Sequence, residues 1–246
     1  MQCKLCLQDK PLIGESHIIP KQFFHKASDN TDKAFGSVKP GDKASRLYSN
    51  KSKSKQIQGG IHVPDILCGD CEQKLGVFDN YAQTTLLREK KIKKNDKENL
   101  WKVPSSDFNY TKFKLFVMSV LWRSQICEHS FFSAIKLTSD LEAELRDMII
   151  KGNPDSENKF SVVLLRYPEI EANTFSVYRE NQPCERYKFR LGHFTFMIKV
   201  GENIYCDFFK KYMLKPQQDL LIPLRSYKET KEYHLILDNM EKKYKA

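Results

Sequence analysis

The spacing of apolar residues predicts three long helices, and the first of them begins at a cysteine. Leu75, Phe78, Ala82 and Leu86 lie three or four positions apart, so they share one face of a helix. We therefore predict a helix that begins at Cys71 and buries this face against a core.

A second helix is predicted between Tyr110 and Cys127. Its apolar positions follow the i, i+3, i+4, i+7, i+8 pattern of a helix that packs on a core. They are Phe113, Phe116, Val117, Val120 and Leu121. Trp122 and Arg123 belong to the same segment and could face the N-terminal part of the chain, although simple packing explains them equally well.

The third helix is followed by segments typical of strands. Thr138 or Ser139 can cap the start of this helix, and Gly152 can close it. Beyond Gly152, turn residues separate apolar stretches with strand character. These stretches are residues 159–167, 173–180, 185–200 and 202–209. The predicted fold class is α+β, with an N-terminal zinc-stapled module followed by an α+β domain whose sheet is mostly antiparallel.

A basic, polar segment divides the chain into two predicted parts. We predict one module over residues 1–88 and an accessory α+β domain over residues 105–246, which would regulate the module or bind a partner or nucleic acid. Within the module, residues 36–60 are rich in Gly, Ser and Lys, which indicates a long exposed loop. One short strand is expected in it, around Arg46 to Tyr48.

The composition excludes several classes of protein. Hydrophobic residues make up 40% of the chain and aromatic residues 12%, which is enough for a packed core. A run of about 18 apolar residues, as a membrane span needs, is absent, and so is the apolar stretch of a signal peptide. We therefore expect a cytoplasmic protein that does not insert into a membrane, whose cysteines are thiols or metal ligands rather than disulfides.

The charge favours a polyanionic partner. Lys and Arg number 41 against 31 Asp and Glu, a net charge of +10. Lysines that neutralise phosphates release condensed counterions, so a nucleic acid is one candidate partner, whose phosphates Lys51 to Lys55 or Lys90 to Lys94 would contact. A solvated surface explains the same lysines, and charge alone does not decide between the two.

Two cysteine pairs predict a structural zinc site. Cys3 with Cys6 and Cys68 with Cys71 have the CxxC spacing that lets two sulfurs converge on one metal ion. Four thiolates leave no open position for a substrate, so this zinc would hold the fold together. The alternative is that one pair is redox-active or incidental. The other three cysteines are expected to be ordinary buried thiols; they are Cys127, Cys184 and Cys206.

A histidine lies between these cysteine pairs. The motifs "CKLC", "ESHIIPK" and "DILCGDCEQKLGVFDNY" resemble those of the HNH, or His-Me finger, endonucleases. The resemblance implies a ββα-metal unit that hydrolyses phosphodiester bonds in DNA, with a magnesium or manganese ion at the catalytic site. His17 matches the first histidine of that family and would be the general base. An imidazole with an ordinary pKa of about 6.5 can accept a proton at neutral pH.

The chain departs from the family pattern at the metal ligands. Ser16 stands where many members have an acidic residue, and Glu72 stands where they have a final histidine or asparagine. Asp79 follows Glu72 by about two helical turns, so both carboxylates can lie on one helix face. We predict that Glu72 and Asp79 hold the catalytic ion, whereas a solvated acidic face is the alternative. His62 or Asp65 could replace the family's middle asparagine.

The expected function is therefore a metal-dependent endonuclease with His17, Glu72 and Asp79 at its catalytic site. A regulatory protein partner and a role in bacterial antiviral defence are further expectations, because unregulated cleavage would endanger the host. The alternative is a noncatalytic, zinc-containing regulatory protein that binds nucleic acid, in which His17 is a core histidine or an accessory zinc ligand.

Overall fold

The computed structural model describes residues 1–25, 45–49, 55–57, 60–88, 90–95, 97–169, 174–180, 185–200, 207–230 and 233–234. The α-helices are α1 (Lys21–His25), α2 (Gly69–Leu87), α3 (Tyr110–Ile126), α4 (Ser139–Lys151) and α5 (Asp207–Tyr212). The strands are β1 (Ser16–His17), β2 (Ser45–Ser49), β3 (Lys55–Ile57), β4 (His62–Val63), β5 (Lys93–Asn95), β6 (Leu100–Val103), β7 (Val162–Arg166), β8 (Thr174–Glu180), β9 (Arg186–Leu191), β10 (Phe194–Lys199) and β11 (Leu220–Pro223).

These strands form three sheets. The smallest pairs β1 with β4, the largest has the order β3-β2-β8-β9-β10-β7, and the third has the order β11-β6-β5. Among the described strands, all pairings are antiparallel except that of β2 with β8. The prediction of an α+β fold with mostly antiparallel sheets is confirmed.

The helices begin and end where polar caps and glycine allow. The side chain of Thr138 accepts a hydrogen bond from the backbone of Leu141 at the start of α4, and Gly152 ends that helix with a left-handed φ of 66°. Asn109 caps α3 in the same way. In the part of the chain that the structure describes, no helix combines the length and the apolar character needed to cross a membrane.

Two sequence predictions need correction. The predicted strand at 202–209 is wrong at its end, because residues 207–212 form α5; its first part lies outside the described residues. The basic segment after α2, interpreted as a connection, contains β5 and β6, which pair with each other and with β11. The strand expected near Arg46 is confirmed as β2. Cys184, Cys206 and the lysines at 51 and 53 lie outside the described residues.

A single hydrophobic cluster extends from Cys3 to Ile222 and contains residues from both predicted domains. Helix α3 contributes most to it, since nearly every side chain between Phe113 and Ser124 is buried. Strand β2 also joins the two parts, because it pairs in parallel with β8. The domain limits 1–88 and 105–246 stay a prediction, but the two parts share one core.

Phe116 provides a test of this core. Its side chain is 1% exposed, and its ring lies 5.8 Å from those of both Phe23 and Phe196. Replacement of Phe116 by alanine should lower the free energy of unfolding by about 3–5 kcal/mol, because it leaves a cavity between α3 and the sheet. Urea unfolding followed by circular dichroism measures this change. Val77→Ala on the exposed face of α2 is the control and should change stability by less than about 0.5 kcal/mol. A loss below about 1 kcal/mol for Phe116→Ala would contradict this packing.

Candidate functional site

The four predicted cysteine ligands lie together at the N-terminal end of α2. The sulfurs of Cys3, Cys6, Cys68 and Cys71 are all within 4.8 Å of one another, and the sulfurs of Cys6 and Cys68 are 3.9 Å apart. A tetrahedral zinc ion with Zn–S bonds of about 2.3 Å places its sulfurs about 3.8 Å apart. The four cysteines could therefore hold a zinc ion with little rearrangement.

Backbone hydrogen bonds bring the two cysteine pairs together. The amide of Lys4 donates to the carbonyl of Ile66 at 2.9 Å, and the amide of Ile13 donates to the carbonyl of Leu67 at 2.9 Å. The amide of Cys68 also points at the sulfur of Cys3, at 3.4 Å. Such N–H groups stabilise a thiolate, which is the form that binds a metal.

The thiol pKa values differ across the cluster. For Cys3, hydrogen bonds from the backbone outweigh burial and lower the pKa to about 7. For Cys71, burial raises the pKa, and hydrogen bonding with the other cysteines adds to the rise. Four clustered thiols do not all ionise easily by themselves, so a bound cation would compensate their mutual repulsion.

His17 lies on β1 directly opposite His62 on β4. The His17 ring is partly exposed, and its centroid is 5.6 Å from that of the His62 ring. Glu15 approaches from the same side, with its carboxylate 4.0 Å from Nε2 of His62. The next residue, Ile18, is fully buried and anchors the end of the strand. The imidazole therefore lies on an accessible face whose backbone is held by the core.

Ser16 points the other way and is fully buried. Glu72, in the first turn of α2, lies near it. The Ser16 hydroxyl and Oε2 of Glu72 are both buried, and the hydroxyl lies close enough to the Glu72 carboxylate to stabilise its ionised form. Burial raises the pKa of the Glu72 carboxyl, and the guanidinium of Arg123 opposes that rise. A buried carboxylate oxygen can accept a further hydrogen bond or a cation.

Asp79 has a partner that the sequence analysis did not assign to it. Its two carboxylate oxygens accept hydrogen bonds from Nη1 and Nη2 of Arg123 on α3, at 3.0 and 2.8 Å. Nη1 of Arg123 also donates to the backbone carbonyl of His17, at 2.8 Å. Burial raises the pKa of the Asp79 carboxyl, and Arg123 counteracts this by stabilising the ionised form. The Arg123–Asp79 pair thus connects α3, α2 and β1.

The structure brings the predicted catalytic residues into one region but does not join them as predicted. His17 and Asp79 are close enough to interact electrostatically, and so are Glu72 and Asp79. Outside the four cysteines, however, the described residues contain no group of three or more His, Cys, Asp or Glu ligand atoms close enough to hold a metal ion. The predicted magnesium or manganese site made by Glu72 with Asp79 is not supported.

Arg123 is the residue whose role sequence reasoning missed. It lies seven positions after Phe116 and three after Val120, so it continues the apolar face of α3. A charged residue on a core-facing stripe needs a buried partner, and that was the available signal. The identity of the partner could not be read from the sequence, because Asp79 is 44 residues away.

Comparison with protein-family models, with curated proteins and with solved structures finds no match to this chain.

The metal content tests the cysteine cluster directly. The purified protein should contain about one zinc ion per chain, and Cys71→Ser should lose it, because a hydroxyl is a far poorer zinc ligand than a thiolate. Elemental analysis together with thermal unfolding measures both zinc and stability. Cys127→Ser is the matched control, since Cys127 is a buried thiol outside the cluster. Zinc retained in Cys71→Ser, or absent from the native protein, would contradict the assignment.

Proposed function

We propose that the protein is a metal-dependent endonuclease of the HNH type that hydrolyses phosphodiester bonds in DNA. The arrangement that supports this is a histidine on the first strand of a two-stranded antiparallel sheet, followed by a helix that starts at a four-cysteine cluster. It is the arrangement that the resemblance of the sequence motifs implies. The accessory segment 105–246, a regulatory partner, a cytoplasmic location and a role in bacterial antiviral defence stay predictions.

The observation that carries the proposal is the placement of His17. Its imidazole is partly exposed, whereas its backbone carbonyl is fixed by the buried Arg123–Asp79 pair. A general base needs both properties, because it must reach a water molecule and must hold one orientation while the proton moves. A histidine that served only to fill the core would be buried instead.

In the proposed reaction, the neutral imidazole of His17 removes a proton from a water molecule. The oxygen of that water then attacks the phosphorus atom, and the bond from phosphorus to the departing oxygen breaks. His17 carries the proton as imidazolium and releases it to solvent, and the departing oxygen, which leaves with the electron pair of the broken bond, takes up a proton from solvent. A divalent ion, when bound, would neutralise charge that develops on the phosphate and on the departing oxygen.

Glu72 is the carboxylate that fits such an ion. Its Oε2 is buried beside the Ser16 hydroxyl, and a cation there would stabilise the ionised carboxylate. Magnesium is often held by one or two carboxylates together with substrate phosphates, so a single carboxylate suffices when DNA is bound. Asp79 fits less well than predicted, because both of its oxygens bond to Arg123, whose positive charge repels a second cation. We therefore propose that Asp79 holds Arg123 in place beside His17 and does not bind the ion.

One observation favours the alternative of a noncatalytic, zinc-containing regulatory protein that binds nucleic acid. The described residues contain no second cluster of three metal ligands, as a preformed catalytic metal site would show. This alternative predicts DNA binding without cleavage under any divalent ion, and binding that is indifferent to substitution of Glu72.

Replacement of His17 separates the two functions. With magnesium or manganese present, His17→Ala should reduce plasmid cleavage by at least about a hundredfold, because a general base contributes about 10²–10⁴ to a hydrolysis rate. His234→Ala, which removes an exposed imidazole elsewhere, should cleave at the native rate. Retained cleavage by His17→Ala would contradict the assigned base. Absence of cleavage by the native protein, with DNA binding intact, would favour the regulatory alternative.

Salt dependence of DNA binding tests the phosphate contacts. Lys90 and Lys93 are exposed on the segment that leads into β5 and on β5 itself. If both contact phosphates, Lys90→Gln with Lys93→Gln should make the negative slope of log K against log salt shallower by about 0.9 for each lost contact. Fluorescence anisotropy with labelled duplex DNA measures the slope. Lys151→Gln on α4 is the control, since Lys151 is also exposed but is paired with Asp147. An unchanged slope in the double variant would show that DNA does not contact these two lysines.

A further inference from the structure

Arg123 is almost completely buried, with 1% of its side chain exposed. Nε donates to the carbonyl of Ser119 at 3.3 Å, and Nη2 donates to the hydroxyl of the same serine at 3.2 Å. The other donors reach the two oxygens of Asp79 and the carbonyl of His17. A guanidinium has five N–H groups, and these contacts engage all of them. Arg123 therefore has no donor left for a phosphate, and its role lies within the protein.

We infer that Arg123 is a positioning residue that fixes the imidazole of His17, with Asp79 holding its guanidinium in place. The positioning of the ring is structural, but its effect on catalysis rests on the function proposed for His17. Arg123 does not contact the reacting atoms. It acts through the backbone of the residue that carries the proposed base.

The local structure shows why such an anchor is needed. Strand β1 has only two residues, and it pairs with an equally short strand. So short a pair supplies few ladder hydrogen bonds, and a two-stranded ribbon by itself is marginally stable. The bond from Arg123 ends on the carbonyl of His17 itself, so it restricts the backbone from which the imidazole projects. A charge-assisted bond in a dry environment is also stronger than a neutral one.

Asp79 explains why the positively charged guanidinium of Arg123 can be buried at this position. A guanidinium with no carboxylate in a protein interior would pay the full cost of desolvation, whereas a bidentate pair offsets much of it. The planar guanidinium can make both contacts at once, because one of its edges bonds to Asp79 while Nη1 also donates to the carbonyl of His17. Lysine at this position would keep the charge but could not make these contacts together.

The experiment compares four proteins: the native chain, Arg123→Lys, the double variant Arg123→Met with Asp79→Leu, and Lys114→Met. The double variant removes both charges and fills the space with apolar side chains, which buried ion pairs often tolerate. Lys114 is the matched control because it lies on the same helix and is also buried, but it bonds to Ser156 and Tyr110 instead. Zinc content and unfolding midpoints establish that each variant is folded.

The first measurement is the contact between the His17 and His62 rings, observed as a nuclear Overhauser effect between their ring protons. The native protein and Lys114→Met should show it, whereas folded Arg123→Lys and the double variant should lose it or weaken it severalfold. The second is DNA cleavage, where both Arg123 variants should lose about a hundredfold in kcat with KM changed less than threefold, as expected when a catalytic group is displaced by about 1 Å.

The two measurements distinguish the possible failures. If the ring contact and kcat are native in both Arg123 variants, Arg123 does not position His17. If Lys114→Met loses the ring contact and kcat as well, the effect is general stability of α3, and the inference is overturned. If the native protein does not cleave DNA but the ring contact depends on Arg123, the positioning role holds and the endonuclease proposal fails.

Discussion

Four cysteine sulfurs lie where the N-terminal turn meets the start of α2, and a zinc ion bound to them would hold these two segments together. Cys6 lies next to Cys68, 62 positions later in the chain, and backbone hydrogen bonds also hold the segment before α2 beside the N-terminal turn. Between the two pairs, β1 and β4 then meet as an antiparallel ribbon beside α2. The strands are too short to fix this geometry by themselves, so a bound zinc ion would supply the missing constraint. This arrangement sets the position of His17.

Helix α3 supplies the second constraint. It contributes buried aromatic rings to the core and, on the same face, Arg123, which bonds to both Asp79 and His17. Because β2 also joins the large sheet, the N-terminal and C-terminal parts are connected both through packing and through a strand. A shift of α3 would therefore be transmitted to His17 through the hydrogen bond from Arg123 to its carbonyl. That connection gives the C-terminal part a direct physical route to the proposed catalytic histidine.

The sequence predicted those features that depend on local chemistry. Helix α4 followed from the Thr138 cap and Gly152, and the cysteine cluster followed from CxxC spacing. Features that depend on distant partners were missed. The lysine-rich segment gave no strand signal, and β5 and β6 exist because β11, more than a hundred residues later, continues the sheet. Likewise, helical spacing placed Glu72 and Asp79 on one face, but nothing in that spacing indicated that Arg123 would take both oxygens of Asp79.

The proposed endonuclease activity depends on His17 acting as the base that activates water. The most direct test is cleavage of DNA in water enriched in ¹⁸O, followed by mass spectrometry of the new phosphate ends. Hydrolysis by an activated water predicts one ¹⁸O atom in the phosphate at each cut, with a rate that depends on His17. Cleavage without incorporation of ¹⁸O, or ¹⁸O incorporation at an undiminished rate in His17→Ala, would contradict the account.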